Sequence, residues 1–181
     1  MKKRTIAVIS ALFLLSACSG SESKCKDNIW TGDIGICISD GWEQVSDAKL
    51  QEEGVPEETI AAFQMTEKRA GQRDNIVISR EGLPTSASAL AYSEANMKII
   101  EATPQYTVIE KREVEIDGNE TILHIFSARP IADLPARRFY QLHLTKRTTG
   151  YVFTGTLPFS VEDFIEDGLI DMLLSASLQE K

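Results

Sequence analysis

The N-terminal segment limits what the rest of this chain can fold into. Residues 1–4 are a short cationic start, Thr5 to Leu15 is an apolar run, and the run closes at Cys18 after small residues. This order is typical of a secretory signal peptide. The apolar run falls short of the roughly 20 residues that a membrane-spanning helix needs, although a short anchor helix is the alternative. We therefore expect residues 1–17 to be a signal peptide and the chain that follows to fold outside the cytoplasm.

The residues that close the signal resemble the lipobox of bacterial lipoproteins. They read Leu15-Ser16-Ala17-Cys18. The resemblance implies lipid attachment to the Cys18 thiol, cleavage just before this residue, and acylation of the new amino group. Each buried CH₂ of such acyl chains contributes about 0.8 kcal/mol to membrane binding. Because Ser19 stands where an aspartate would favour the inner membrane, we expect an outer-membrane anchor with the domain facing the periplasm, and residues 18–27 as its lipidated start and tether.

The cysteine count agrees with an exported protein. The chain has three cysteines, at positions 18, 25 and 37. If Cys18 carries lipid, Cys25 and Cys37 form an even pair in an oxidising compartment, where disulfides persist. The sequence therefore predicts a Cys25–Cys37 disulfide, which would stabilise the fold by about 3 kcal/mol in the chain-entropy model. Two unrelated buried thiols are the alternative.

Charge and motifs narrow the classes of function. The chain has 19 Lys and Arg against 27 Asp and Glu. This acidic balance argues against a nucleic-acid partner and against electrostatic attraction to anionic lipid. A Gly-rich phosphate loop, Gly-x-Ser-x-Gly and His-Glu-x-x-His are all missing. We therefore predict no cofactor, no metal, no catalytic residues and no enzymatic activity.

Residues 28–181 read as a single domain built mostly of strands. Turn residues between apolar stretches predict a hairpin over 28–39, a strand pair over 60–67 and 75–80, a hairpin closed by Asp117-Gly118-Asn119, and another around Thr148-Thr149-Gly150. Pro56 is also a plausible start for a helix reaching Lys68, which is the alternative for the 60–67 element. The pattern predicts an α+β fold, with an antiparallel sheet flanked by helices.

Two helices are expected on this sheet. The first spans Ser86 to Ala102, with Ser86 as its cap. Its apolar face consists of Ala91, Ala95, Ile99 and Ala102, with Tyr92 beside them. The second begins at the cap Ser160. Phe159 and Phe164 occupy the positions of a hydrophobic staple. Its apolar stripe consists of Val161, Ile165, Leu169, Met172 and Ala176.

Several local patterns follow one another along these elements. They are Gly41-Trp42 after the first hairpin, Asp74-Asn75-Ile76-Val77-Ile78 with Glu81-Gly82-Leu83-Pro84, Val114-Glu115-Ile116-Asp117-Gly118, Gly150-Tyr151-Val152-Phe153-Thr154-Gly155-Thr156, and Ser175-Ala176-Ser177-Leu178. These patterns and the order of the elements resemble the PsbP-like group, which includes the DcrB-related bacterial lipoproteins. Gly41-Trp42 is similar to the group's Pro-x-Gly-Trp turn, with Ser39 in place of the proline. The resemblance covers residues 29–178. It implies an α/β/α sandwich and mostly non-catalytic assembly or binding roles.

Two groups of side chains are candidates for a site. His124 and His143 lie on predicted strands that could be neighbours; with a third ligand they would hold Zn or Cu, and without one they are ordinary sheet residues. Arg129, Arg137 and Arg138 flank a proline-containing connection and form a candidate partner-binding patch, since connecting loops often carry recognition. We expect charge reversal of Arg137 and Arg138 to leave the melting temperature almost unchanged.

Three classes of function follow from the sequence. The first is a membrane-tethered, non-catalytic binding or assembly module of the envelope, with an envelope protein as its partner. The second is a small-ligand carrier, which requires a deep apolar pocket between sheet and helix. The third is a metal-dependent enzyme, which the missing nucleophile and base constellations disfavour.

Overall fold

The computed structural model describes residues 26–69 and 73–178. In chain order the elements are β1 (Asp27–Thr31), β2 (Ile34–Ile38), β3 (Trp42–Gln44), α1 (Asp47–Glu52), β4 (Thr59–Met65), β5 (Asn75–Gly82), α2 (Ala89–Ile100), β6 (Thr107–Ile116), β7 (Asn119–Ala128), β8 (Arg137–Lys146), β9 (Thr149–Pro158) and α3 (Asp163–Leu174). In this part of the chain β1 and β2 form a two-stranded hairpin, and the other strands form a seven-stranded antiparallel sheet with the order β3-β4-β5-β9-β8-β7-β6. The predicted α+β class with an antiparallel sheet is confirmed.

Short turns produce the antiparallel order. β6 and β7 are joined by Asp117-Gly118, and both residues have positive φ, 49° and 75°. This is the left-handed conformation that a two-residue hairpin turn requires, and it confirms the predicted hairpin. The β8–β9 turn lies earlier in the chain than the predicted Thr148-Thr149-Gly150. Lys146 pairs with Thr149, so the turn consists of residues 147 and 148, and Gly150 lies inside β9.

Helices cover both faces of the large sheet. Two β9 glycines an odd number of residues apart show this, because successive residues of a strand point to opposite faces. A Cβ added at Gly150 would lie 2.5 Å from the Tyr92 ring of α2, and one added at Gly155 would lie 2.7 Å from Leu169 of α3. α2 and α3 therefore lie on opposite faces, as the predicted α/β/α sandwich requires.

The main core lies between the sheet and α3. The isoleucines of β2, including Ile36, pack there with Leu169 of α3 and Phe153 of β9. The hairpin β1–β2 therefore lies on the α3 side. α1 covers the opposite face near the β3 edge, where Leu50 packs on Ala62. The strand register places Ala62 on the same face as His124, which lies beneath α2.

Both predicted helix starts are wrong. α2 begins two residues later than expected: Ser88 is the N-cap, and its side chain accepts from the Ala91 amide. α3 has Glu162 at the N-cap position, with no side-chain hydrogen bond, in place of Ser160. Phe159 and Phe164 are both exposed, so the expected hydrophobic staple is not formed.

The predicted apolar face of α2 is also wrong. Ala91, Ala95 and Ile99 are exposed, and Ile99 is 74% exposed. The buried positions are Ala89, Tyr92, Ser93 and Met97. The helix is rotated because two of its polar side chains, Tyr92 and Ser93, find hydrogen-bond partners on the sheet, which lowers the cost of burying them. In α3 the stripe prediction holds, with Ile165, Leu169 and Met172 buried.

The structure decides between the two predictions for one segment and adds two short elements. The segment 59–65 is strand β4, which confirms the predicted strand and excludes the helix alternative starting at Pro56. α1 and the short strand β3 were not predicted. Trp42 begins β3 directly after Gly41, whose φ is 82°, and its side chain is buried in the main core.

The segment after α3 closes the described fold. Ser177 and Gly35 exchange backbone hydrogen bonds, which adds a bridge to the β1–β2 hairpin. One carboxylate oxygen of Asp117 accepts from the Leu178 amide at 2.6 Å and from the Ser177 hydroxyl at 2.9 Å. Within the described ranges no helix is long and apolar enough to cross a membrane.

Candidate functional site

His124 and His143 lie next to each other, and both contact the hydroxyl of Ser93. Both are buried beneath α2, with ring centroids 6.1 Å apart. The hydroxyl of Ser93 lies 2.8 Å from His124 Nε2 and 3.3 Å from His143 Nδ1. The outer nitrogens, His124 Nδ1 and His143 Nε2, are buried without a hydrogen-bond partner in the described chain. We name Ser93, His124 and His143 the Ser–His–His cluster.

Burial keeps both histidines neutral. Loss of solvent, with a smaller contribution from the charge of Lys111, lowers the pKa of His124 to about 4. Burial lowers the pKa of His143 to about 3, with a smaller contribution from His124. A neutral imidazole has one donor and one acceptor nitrogen, so the Ser93 hydroxyl donates to one ring and accepts from the other. The cluster therefore fixes α2 on β7 and β8 through a neutral hydrogen-bond chain.

Within residues 26–69 and 73–178, the cluster has no third metal ligand. Among the described residues no group of three or more His, Cys, Asp or Glu side chains is placed to hold a metal ion. The inner nitrogens of both histidines already face the Ser93 hydroxyl. In the described part of the chain, the contacts of the cluster fit a structural role, in which it holds α2 on the sheet.

A cleft lies beneath the connection between β7 and β8. Its volume is about 420 Å³, and most of its wall is apolar. Ile131 and Leu134 of the connection are 57% and 42% exposed at this cleft. Its walls are formed by Arg73, Asn75, Pro130, Ile131, Leu134, Pro135, Arg137, Phe139 and Thr156. We name this cavity the β7–β8 cleft.

A buried carboxylate lies beside the cleft. Asp74 is 1% exposed, and its oxygens lie 3.6 Å from Arg137 Nη2 and 3.7 Å from Arg69 Nε. Burial raises the pKa of Asp74, while the positive charges of Arg69 and Arg137 oppose the shift. Burial of one charge without its partner is expensive, so Asp74 and Arg137 depend on each other.

The three predicted arginines do not form one cationic patch. Arg137 and Arg138 are neighbours on β8 and point to opposite faces: Arg137 lines the cleft, and Arg138 pairs with Glu166 of α3 at 2.7 Å. Arg129 is half-buried, and its amide donates to Pro104 O. Reversal of the Arg137 charge would place a second carboxylate beside Asp74, so the expected unchanged melting temperature does not fit this geometry.

The structure describes one of the three cysteines. Cys37 lies in β2 opposite Asn28, and its amide donates to the Ser175 hydroxyl at 2.9 Å. Cys18 and Cys25 lie outside the described residues, as do the signal peptide and most of the tether. Lipid attachment and the Cys25–Cys37 disulfide therefore stay predictions.

Sequence reasoning did not find Ser93, Asp74 or the cleft. A signal existed for Ser93, because a serine is placed on the helix face that carries Tyr92 and Met97. Asp74 directly precedes an apolar strand. An acidic residue at that position usually belongs to an exposed turn, so the sequence gives no sign that Asp74 is buried. The cleft joins residues far apart in sequence, from Arg73 to Thr156, so no local motif marks it.

No protein-family model matches this sequence, and no curated protein matches it. Among solved structures, cyanobacterial PsbP from Synechocystis sp. is similar over 90% of this chain and 97% of its own, with a TM-score of 0.59 at 16% identity. A protein of unknown function from Pseudomonas aeruginosa is similar over 82% of this chain and 94% of its own, with a TM-score of 0.54 at 12% identity.

These layers define an α+β sandwich, in which an antiparallel sheet lies between helices. The two similar structures identify its form as the PsbP-like fold, which confirms the resemblance found in the sequence. At this level of identity the likeness establishes the fold alone. The activity has to be argued from the residues of this chain.

Proposed function

We propose that this protein is a membrane-tethered envelope lipoprotein and a non-catalytic binding or assembly module. Its binding site would be the β7–β8 cleft. The observation that carries the proposal is the exposure of Ile131 and Leu134 over an apolar cleft. Exposed apolar side chains around a cavity are a common feature of interaction sites. The tether is supported by the Cys18 lipobox, which would hold the domain at the periplasmic side of the outer membrane.

The cleft suits an apolar segment of a partner protein. Phe139 and the prolines of the connection give it an apolar wall, and Asn75 and Thr156 add polar groups. A few polar groups in an apolar cavity fix the orientation of what binds there. Arg137 is held beside Asp74, so one wall of the cleft is fixed by an ion pair inside the protein.

A tether makes weak binding sufficient. It confines the domain to one membrane surface, which raises its effective concentration for partners on the same surface. A cleft with two exposed anchor residues then suffices for an assembly role. Such a role needs no catalytic group in the cleft.

A small-ligand carrier is the second candidate. The cleft volume of about 420 Å³ is within the range of ligand cavities. The cleft lies under a loop at the end of the sheet, whereas we expected a carrier pocket to lie between sheet and helix. The two candidates differ in what co-purifies with the protein.

The test is co-purification of the full lipidated protein from its native envelope in detergent. The double variant Ile131→Ser, Leu134→Ser should lose the envelope protein that the wild type retains. Both side chains are exposed, so the melting temperature should change little. Phe164→Ser is the matched control, because it removes an exposed apolar side chain outside the cleft.

Three outcomes would contradict the proposal in different ways. If the double variant keeps its partner, the cleft is not the site. If native mass spectrometry finds a small molecule on the wild type and on the Phe164→Ser control but not on the double variant, the protein is a carrier. If the purified domain turns over a substrate, the non-catalytic role is wrong.

A further inference from the structure

The exposed large apolar side chains of the described residues are not scattered over the surface. Single exposed apolar residues are ordinary on proteins, but their collection in one region is not. The register and the helix directions place all of them at one end of the sheet. They are Ile99, Val108, Ile109, Ile131, Leu134, Phe159 and Phe164. We name this end the apolar end.

The strands place five of the seven. Val108 and Ile109 lie at the start of β6, where Val108 pairs with Phe126 near the end of β7. Ile131 and Leu134 belong to the connection from β7 to β8. Phe159 follows the last residue of β9, which pairs with the first residue of β8. These strand ends are adjacent in the antiparallel sheet, so the five residues share one end.

The helices place the other two. Ile99 is in the last turn of α2, whose start lies at the opposite end, because Ala87 O accepts from Thr145 near the end of β8. Phe164 is in the first turn of α3. The residue before this turn, Glu162, pairs at 3.0 Å with Arg69, which follows the end of β4.

The chain leads toward the predicted anchor from the same end. The Lys26 amide donates to Ile38 O, and its side chain pairs with Asp40 at 3.9 Å. Asp40 lies beside the start of β3, which pairs with the end of β4. Cys18 precedes Lys26 by eight residues. A segment of that length reaches at most about 28 Å even when fully extended.

We infer that the apolar end faces the lipid bilayer, and that its exposed side chains outside the β7–β8 cleft enter the interface. The occupant of this surface is a membrane, because the short tether brings this end to the bilayer. The inference rests on the lipid anchor of the proposed function. The chain is acidic, so contact with lipid would depend on apolar side chains and would not require anionic headgroups.

This orientation gives the β7–β8 cleft a particular partner. The cleft lies at the apolar end, so it opens beside the bilayer. A segment that reaches the cleft would come from a protein of the same membrane, near the level of the headgroups. Soluble periplasmic proteins would meet the opposite end of the domain, where the β8–β9 turn lies.

Depth-dependent quenching tests the orientation. The full mature lipidated protein is reconstituted in phosphatidylcholine vesicles with brominated acyl chains, which quench tryptophan near the bilayer. Phe164→Trp and Phe159→Trp place a probe at the apolar end, and Thr148→Trp, an exposed turn position at the other end, is the matched control. The emission added by the first two probes should be strongly quenched, since an interfacial apolar face enters about 5–10 Å into the boundary between headgroups and acyl chains. The Thr148→Trp probe should keep its emission.

The outcomes separate this inference from the proposed anchor. If the protein is acylated and sediments with vesicles but no probe is quenched, the anchor stands and the orientation is wrong. Cross-linking of the Phe164 position to an envelope protein, without quenching, would assign the end to a protein partner and overturn the inference. If mass spectrometry finds Cys18 unmodified, the anchor is wrong and the inference fails with it. Loss of the cleft's partner is measured separately in detergent.

Discussion

Acid should destabilise this protein through the Ser–His–His cluster. His124 and His143 are 3% and 0% exposed, and their inner nitrogens share the Ser93 hydroxyl. A proton added to either ring would be a buried charge next to the other ring, and Lys111 lies on the neighbouring strand opposite His124. Tyr92 of α2 packs against the His143 ring and donates its hydroxyl to Glu81. In the unfolded chain both imidazoles are in water and protonate freely.

The size of the effect follows from the pKa values. In the unfolded chain the histidine pKa is near 6.5, and in the folded chain it is about 4 for His124 and about 3 for His143. Between these values the unfolded state binds more protons, so stability is retained above pH 6.5 and lost as pH falls toward 4. From pH 7 to pH 5 the loss is about 2 kcal/mol for each histidine and about 4 kcal/mol for the pair. This is a large share of a typical stability of roughly 5–15 kcal/mol.

The assay is urea unfolding at pH 5 and pH 7. The measured quantity is the difference in unfolding free energy between the two pH values, which removes the constant cost of each substitution. His124→Gln and His143→Asn keep a polar group near the serine and remove the titration. Each variant should lower the pH difference by about 2 kcal/mol relative to the wild type.

Carboxylates also titrate in acid and contribute to the pH difference. The double variant His124→Gln, His143→Asn separates their contribution from that of the histidines. The double variant should keep only the carboxylate part of the pH difference. If its pH difference equals that of the wild type, the histidines are not neutral and buried in the folded state. A Ser93→Ala variant is a further check: it breaks the bridge but leaves both histidines to titrate, so its pH difference should stay large.

Four further predictions test other parts of the molecule. Asp117→Asn keeps the left-handed turn but weakens the acceptor that holds the segment after α3, so the unfolding free energy in urea should fall by about 1 kcal/mol. Arg137→Glu should cost about 3 kcal/mol and clearly lower the melting temperature, because it removes one of the two cations beside buried Asp74 and places a second carboxylate there; an unchanged melting temperature would refute that pairing. Cys18→Ala should yield an uncleaved, unlipidated precursor by mass and detergent partitioning, and thiol labelling of the unfolded, unreduced mature protein should find Cys25 and Cys37 blocked.

Much of the fold could be predicted because its signals are local. Asp117-Gly118 specifies a tight hairpin through two left-handed residues, and the sequence shows it directly. The α3 stripe of Ile165, Leu169 and Met172 needs no tertiary information, because one face of that helix meets the main core. The order of strands and helices then restricts the layers to a sheet covered by helices.

α2 shows where local signals mislead. Its alanines and Ile99 form a regular apolar stripe, yet the helix buries Tyr92 and Ser93. Periodicity ranks faces by apolar content, and it has no means of knowing that the sheet beneath offers partners for a hydroxyl. Those partners are His124 and His143, which are 31 and 50 residues away from Ser93 in sequence. The Gly150 position has the same origin, since the strand needs a residue without a side chain beneath Tyr92.

The same reasoning explains why the candidate site is only partly visible in the sequence. The sequence marks the 129–138 segment as a candidate recognition site, because prolines and arginines lie between two predicted strands and connecting loops often carry recognition. The sequence predicts that this segment binds through its positive charges, but Arg137 and Arg138 form ion pairs with Asp74 and Glu166 inside the domain. What the connection offers to a partner is therefore apolar, at Ile131 and Leu134, and a partner of this end would be chosen by apolar contacts.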